Sequence, residues 1–269
     1  LMSGGSASNT VHGLARLGVQ CSFTGKISND FFGDVFLKDL EKHLIKPQLF
    51  YGDGVTGRAV ALITPDSERT FATHLGCAWT LSAEEITPDF FKGSDLLHIE
   101  GYLVQNHELI EKSLATAKGS GLVTSLDLAS YNIVHENIDF LHEVAKKYVD
   151  IIFANEEEAT AFTGLDPSES VKKLSEMCYT AVVKTGAKGS LVRCGKEVCS
   201  VESYKVSPVD TTGAGDLYAS GFLFGLINKW PLIKCADAGS LLASKIIEHI
   251  GAKIPDNEWP GILKKLGVS

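Results

Sequence analysis

From residue 95 onward, short apolar runs alternate with stretches of helical spacing. The runs at 96–99, 122–126, 151–154 and 181–183 are too short for helices, and segments at 106–118, 136–147 and between 155 and 178 carry apolar residues at helical intervals. Apolar strands joined by helical crossovers are the pattern of a mainly parallel sheet covered on both faces. The expected class is therefore α/β, with helices flanking a mainly parallel sheet on both sides.

The remainder is arranged around that sheet. A Gly-rich turn at 4–9 leads into a helix marked by Val11, Leu14, Ala15 and Leu17 and ended by Gly18. A strand is expected at 21–27 and a helix at 30–43, with Phe32, Val35, Phe36, Leu40 and Leu44 on one face. Residues 47–73 are extended and rich in turns, including 65–68, and read as antiparallel strands; the region 47–75 is expected to contribute to a small β lid. Val192 and 198–206 suggest a hairpin, followed by helices near 214–228, 232–249 and 256–266. The whole chain, 1–269, reads as a single domain, and the Gly-rich turn so near its start implies that something precedes it.

Charge and composition exclude several functions. With 33 acidic and 25 basic residues, a sequence-independent grip on nucleic acid is not expected. No apolar run approaches the roughly 20 residues that span a bilayer, and no signal-peptide pattern opens the chain, so a cytoplasmic enzyme without a membrane partner is expected. The six cysteines show no CxxC and read as reduced thiols, although Cys194 and Cys199 are placed to face each other across a hairpin at 195–196. The histidines show no metal-ligand spacing; His98 and His249 are expected to pack or hydrogen-bond locally.

In open α/β sheets ligands bind at the carboxyl ends of the strands, where turns into helices expose N–H groups. The turn Asp210-Thr211-Thr212-Gly213-Ala214-Gly215-Asp216 fits such a place. Its glycines allow close approach, and the N–H groups of Gly213, Ala214 and Gly215 form an anion hole at a helix start. Asp216 either caps that helix or stands beside the anion as a general base. No GxxxxGK[ST] occurs, which sets aside P-loop kinases, and the GxGxxG at 52–57 leads into an extended segment and not a helix, so an NAD-dependent dehydrogenase is not expected.

The segment 210–223 resembles the second signature of the ribokinase-like, or PfkB-type, carbohydrate and nucleoside kinases. Three further blocks resemble the same family in the right order: Gly4-Gly5 with Asn9 its GGxxxN substrate loop, Asn155-Glu156-Glu157-Glu158 its NxxE motif, and Lys184-Thr185-Gly186-Ala187-Lys188-Gly189 its nucleotide loop. Val11 and Ser28 depart from the family's first signature, where a small residue and a Gly are usual.

The resemblance implies a ribokinase-like fold lacking the family's N-terminal strand and the acidic substrate contact on it. It implies ATP and Mg²⁺ as cofactors, with K⁺ as a further one. Asp216 would take the proton from a substrate hydroxyl that attacks the γ-phosphorus, while the N–H groups of Gly213, Ala214 and Gly215 meet the developing charge. Gly4, Gly5, Asn9 and Glu100 would hold the substrate. Asn155, Glu158, Lys184, Thr185, Gly186, Lys188, Gly189 and Gly215 would serve the nucleotide, with Glu158 reaching Mg²⁺ through water. Arg69 resembles a lid arginine that reaches phosphate, and Asp210 and Thr212 lie where relatives hold a monovalent cation. Each has a plainer reading: Asn9 and Asn155 as helix caps, the 184–189 loop as a turn between strands, Glu100 as a surface carboxylate, and Arg69 as half of an ion pair. The implied partner is a small sugar or nucleoside, with adenosine first and a ribose- or fructose-type sugar as the alternative; a non-catalytic nucleotide or sugar sensor is the other. A homodimer through the lid is also implied.

Overall fold

The computed structural model describes residues 2–63 and 69–268. The chain divides into two compact units, one formed by residues 1–81, 204–230 and 237–269, the other by 82–203 and 231–236.

In the first unit, helix α1 (Ser6–Arg16) begins directly after Gly5, whose φ of 103° turns the chain into the helix without a side-chain cap. Strand β1 (Ser22–Ile27) and helix α2 (Phe31–Lys42) follow. Asp30 caps α2 by accepting from the N–H of Gly33 at 2.8 Å, and it also accepts from the backbone and hydroxyl of Thr56.

Strand β2 (Lys46–Tyr51) corrects one expectation. It pairs in parallel with β1, from Ser22 opposite Lys46 to Ile27 opposite Tyr51, and is no antiparallel lid strand. The cause is α2: a helical crossover returns the chain to the end from which β1 began, so the next strand runs the same way. Strands β3 (Arg58–Ile63) and β4 (Arg69–His74) do form an antiparallel pair, with Val60, Leu62 and Phe71 exposed. The turn expected at 65–68 lies outside the described residues.

The second unit holds β5 (Leu96–Glu100), α3 (His107–Gly119), β6 (Val123–Asp127), α4 (Tyr131–Glu136), α5 (Ile138–Tyr148), β7 (Ile151–Asn155), α6 (Glu156–Thr163), α7 (Pro167–Leu174), β8 (Thr180–Lys184), β9 (Ser190–Cys194) and β10 (Glu197–Val201). Its sheet runs β10-β9-β8-β7-β6-β5, parallel from β5 to β8 and antiparallel at β9 and β10. Leu126, Ile152, Phe153, Ala154, Ala181, Val182 and Val183 are fully buried, as strands covered on both faces require. The helix expected at 136–147 is α5, which begins two residues later, after Asn137 has left helical geometry at the end of the short α4. Strand β10 stops at Val201, short of the expected 206.

Cys194 lies opposite Glu197 and Cys199 opposite Val192, so the two thiols are not cross-strand partners, and the six cysteines form no disulfide among the described residues. Parallel register brings Glu100 level with Asp127 and Asn155 level with Lys184, so four neighbouring strands end in polar residues.

The chain then supplies α8 (Ala214–Ile227), α9 (Leu232–Ile246) and α10 (Trp259–Leu266). Residues 217–225 of α8 are buried on every side, and α1 packs against it. Ser220 ties the two together, its hydroxyl donating to the carbonyls of Thr10 and Asp216 at 2.8 Å each. No helix among the described residues is long and apolar enough to cross a membrane.

Candidate active site

In the first unit the turn before α8 is organised by Asp210. One carboxylate oxygen accepts from the N–H and hydroxyl of Thr212 at 2.9 and 2.6 Å, the other from the N–H of Gly251 at 2.8 Å. Gly213 then enters the left-handed region at φ 80°, and a Cβ there would stand 2.9 Å from the Cβ of Ala252. Only glycine satisfies both demands. The N-cap of α8 is Gly213, which has no side chain to offer, so the first turn lies at the positive end of the helix dipole, with the N–H of Ala214 also 3.3 Å from the carbonyl of Thr211.

Asp216 lies in the first turn of α8. Its Oδ1 accepts from Ser6 Oγ at 2.6 Å and its Oδ2 from Asn9 Nδ2 at 2.7 Å. Asn9 lies within α1, not at its cap, and its Oδ1 is buried without a hydrogen-bond partner among the described residues. An orphaned buried acceptor is costly unless a ligand or water donor completes it. Gly4 and Gly5 are exposed beside this helix start, and nothing lies within 4 Å of either Cβ position.

In the second unit, Asn155 caps α6 in a reciprocal box. Its Oδ1 accepts from the N–H of Glu158, while Glu158 accepts from the N–H and the side-chain amide of Asn155 at 2.8 and 2.7 Å. The capping reading of this motif is thus realised, and it also fixes the carboxylate. Lys184, at the end of β8, donates to Asp127 Oδ2 at 2.6 Å, with side chains 15 and 7% exposed. Burial, then the nearby Asp127, pushes the Glu158 carboxyl up to about 7. For Lys184 burial works to lower the pKa, and Asp127 and Glu158 more than reverse it, so the ammonium stays charged.

Glu100 is buried, not on the surface, with a carboxylate oxygen 3.0 Å from His98 Nε2, while His98 Nδ1 lies 3.0 Å from Ser125 Oγ. His249 is packed, its Nε2 buried without a partner among the described residues.

In the loop after β8, the N–H of Thr185 donates to the carbonyl of Gly189 at 2.8 Å across a 3-10 turn at Gly186–Lys188. Gly189 has φ +100°, and a Cβ there would fall 1.8 Å from the carbonyl oxygen of Val201 on β10. Lys188 is exposed and lies 3.5 Å from Glu156. The side chain of Arg69 lies outside the described residues.

A family model described as pfkB family carbohydrate kinase matches residues 1–259. The chain belongs to the pfkB family of carbohydrate kinases. An adenosine kinase of Saccharomyces cerevisiae is 30% identical, the match covering 96% of this chain and 81% of that protein. An uncharacterized sugar kinase of Archaeoglobus fulgidus is 26% identical, over 90% of this chain and 96% of that one. The crystal structure of adenosine kinase from Sinorhizobium meliloti superposes with a TM-score of 0.92 at 33% identity, covering 98% of this chain and 83% of its own. The pfkB kinase described here is accordingly an ATP-dependent enzyme of the sugar and nucleoside class, on the expected ribokinase-like fold.

Within this kinase the motif residues gather as two sets. Gly4, Gly5, Asn9, Asp210, Thr212, Gly213, Ala214, Gly215 and Asp216 belong to the first unit; Glu100, Asn155, Glu158, Lys184, Thr185, Gly186, Lys188 and Gly189 belong to the second. Two contributors carry no motif of their own. The sequence signal for Ser6 is its spacing, three residues before Asn9 and so on the same helix face, which does not say what it meets. Asp127 was signalled by a carboxylate ending an apolar strand run.

Proposed function

We propose that this pfkB kinase transfers the γ-phosphoryl group of ATP to a primary hydroxyl of a nucleoside, adenosine first, with Asp216 as the general base. The observation that carries the reading is Asp216 itself. It stands in the first turn of α8, both oxygens oriented by Ser6 and Asn9, beside the buried Oδ1 of Asn9, which has no donor among the described residues.

In this reading Gly4, Gly5 and Asn9 hold the acceptor. Asp216 removes the hydroxyl proton as the oxygen attacks phosphorus, and the N–H groups of Gly213, Ala214 and Gly215 meet the charge on the transferring oxygens. Thr185, Gly186, Lys188 and Gly189 bind the nucleotide through a loop clipped to β10, and Arg69 serves phosphate. Glu100, buried beside His98 and felt electrostatically by Glu158 and Lys184, supports that half by its charge.

The donor set fits a hydrated Mg²⁺. Glu158 is a fixed carboxylate with Asp127 near it, yet no group of three potential ligands among the described residues could grip a bare ion. Mg²⁺ bound there would neutralise phosphate charge. Asn155 and Glu158 would hold its waters, and Lys184 keeps the surrounding carboxylates compensated. Asp210 and Thr212 shape the turn at which K⁺ is expected. A cytoplasmic setting and a homodimer through the exposed apolar side chains of β3 and β4 complete the reading.

A ribose- or fructose-type sugar is the second reading, favoured by the likeness to a sugar kinase. The test is phosphate transfer from Mg-ATP to adenosine, other nucleosides, ribose and fructose, with and without potassium. Turnover of adenosine that Asp216→Asn abolishes supports the proposal; turnover of sugars alone replaces the acceptor. ATP binding without any transfer replaces the enzyme with a sensor.

A further inference from the structure

Away from these motifs, a knot of polar side chains joins three segments of the first unit. Lys253 Nζ donates to Ser3 Oγ at 2.5 Å and to Asp39 Oδ2 on α2, and Ser3 Oγ donates to the same carboxylate oxygen. The Lys253 and Asp39 side chains are 12 and 23% exposed. Burial works against the Asp39 carboxylate, and Lys253 and Ser3 overcome it, holding its pKa below the usual range. One turn further along, His43 Nδ1 lies 2.8 Å from the Asp39 carbonyl, and its ring meets that of His12 on α1 edge-on.

What the knot joins gives it a role. Ser3 immediately precedes Gly4 and Gly5, a pair with no packing contact at either Cβ position and with the widest conformational freedom of any dipeptide. Such a turn is held only from its flanks: α1 on one side, Ser3 on the other. Lys253 lies two residues beyond Gly251, whose N–H holds Asp210 at the head of the turn into α8. A buried ion pair adds little net stability, but it admits few geometries.

We propose that Lys253, together with Asp39, is a positioning residue for the phosphoryl acceptor. It fixes Ser3, and through Ser3 the Gly4-Gly5 turn that leads into Ser6 and Asn9. The inference rests on the reading in which Gly4, Gly5 and Asn9 hold the acceptor.

Hydrogen exchange on the chain, compared for the parent, Ser3→Ala and Lys253→Met, tests it directly. Amide exchange over residues 4–9 should rise roughly tenfold in both variants, with β1 and the 185–189 loop unchanged. In kinetics with adenosine and with fructose, KM for whichever acceptor is turned over should rise about tenfold while KM for ATP holds, and Lys253→Arg should keep most of the parent behaviour. Ser3→Ala removes only a hydroxyl, so the test stands even where Lys253→Met does not fold. Unchanged exchange at 4–9, a rise shared equally by β1, or an equal rise in both KM values overturns the proposal. Asn9→Ala separates the two levels. If it raises acceptor KM and the Ser3 and Lys253 variants do not, the positioning role alone falls; if it has no effect, the acceptor reading falls and the positioning role with it.

Discussion

Ser6 Oγ donates to Asp216 Oδ1 at 2.6 Å although 210 residues separate the two in sequence. The bond sets the direction of one carboxylate oxygen while Asn9 sets the other, so the proposed base is oriented before any acceptor arrives. A hydrogen bond to a charged group contributes about 1.5–3 kcal/mol, enough that Ser6→Ala should lower kcat about tenfold. ATP affinity, followed by thermal shift, should not move. A loss confined to ATP binding would remove Ser6 from the acceptor side.

Asp216→Asn keeps the shape of the side chain and removes the proton acceptor. We expect kcat to fall on the order of 100-fold or more, with Mg-ATP still raising Tm by mass action. Parent-like turnover in this variant would exclude Asp216 as the base.

Lys184→Met leaves Asp127, Glu158 and Glu100 buried together without their shared cation. Removing one partner of a buried pair costs about 3–5 kcal/mol, so Tm should drop by several degrees even without nucleotide. Lys184→Met/Asp127→Leu should recover much of that loss. Equal Tm in parent and single variant would show that the ammonium contributes nothing to the fold.

The pH dependence of stability has two opposed contributions. Burial first, then Lys253 and His43, hold His12 at about 3 against an ordinary 6.5. Between those values the unfolded chain binds a proton that the folded chain refuses, so the His12 contribution is full above pH 6.5 and is lost as pH falls. Glu158, raised from 4.5 to about 7, behaves oppositely: the folded state binds the extra proton, and its contribution is full below pH 4.5 and lost as pH rises through 7. Urea midpoints measured from pH 7 to 5 should decline less steeply in His12→Gln and more steeply in Glu158→Gln. Identical slopes in all three proteins would contradict both assignments.

Most of the sheet was legible because its strands are buried on both faces and so read as uninterrupted apolar runs; 151–154 and 181–183 fall inside the observed strands β7 and β8. The direction of β2 was not, since Lys46–Tyr51 has the same pattern in either orientation and only the crossover through α2 decides it. The turn from Asp210 to Asp216 could be read locally, as backbone geometry there depends on glycines at fixed positions. Ser6, Asp127 and the Lys253 knot act through partners distant in sequence. Residue type alone marks them as polar and says nothing of whom they meet.

The segment order of the first unit bears on how the chain is made. Its N-terminal third contributes α1, but the helix on which α1 packs, α8, does not begin until Ala214. The second unit is continuous from 82 to 203 apart from a short return at 231–236. During synthesis the sheet of the second unit is complete before α8 leaves the ribosome, while α1 waits for the helix it packs on. Contacts of such long sequence separation are slow to close. The meeting of Asp216 with Ser6 and Asn9 is therefore expected among the last events in folding, and a ribosome-bound chain that stops short of residue 214 holds most of the half proposed for the nucleotide and none of the proposed base.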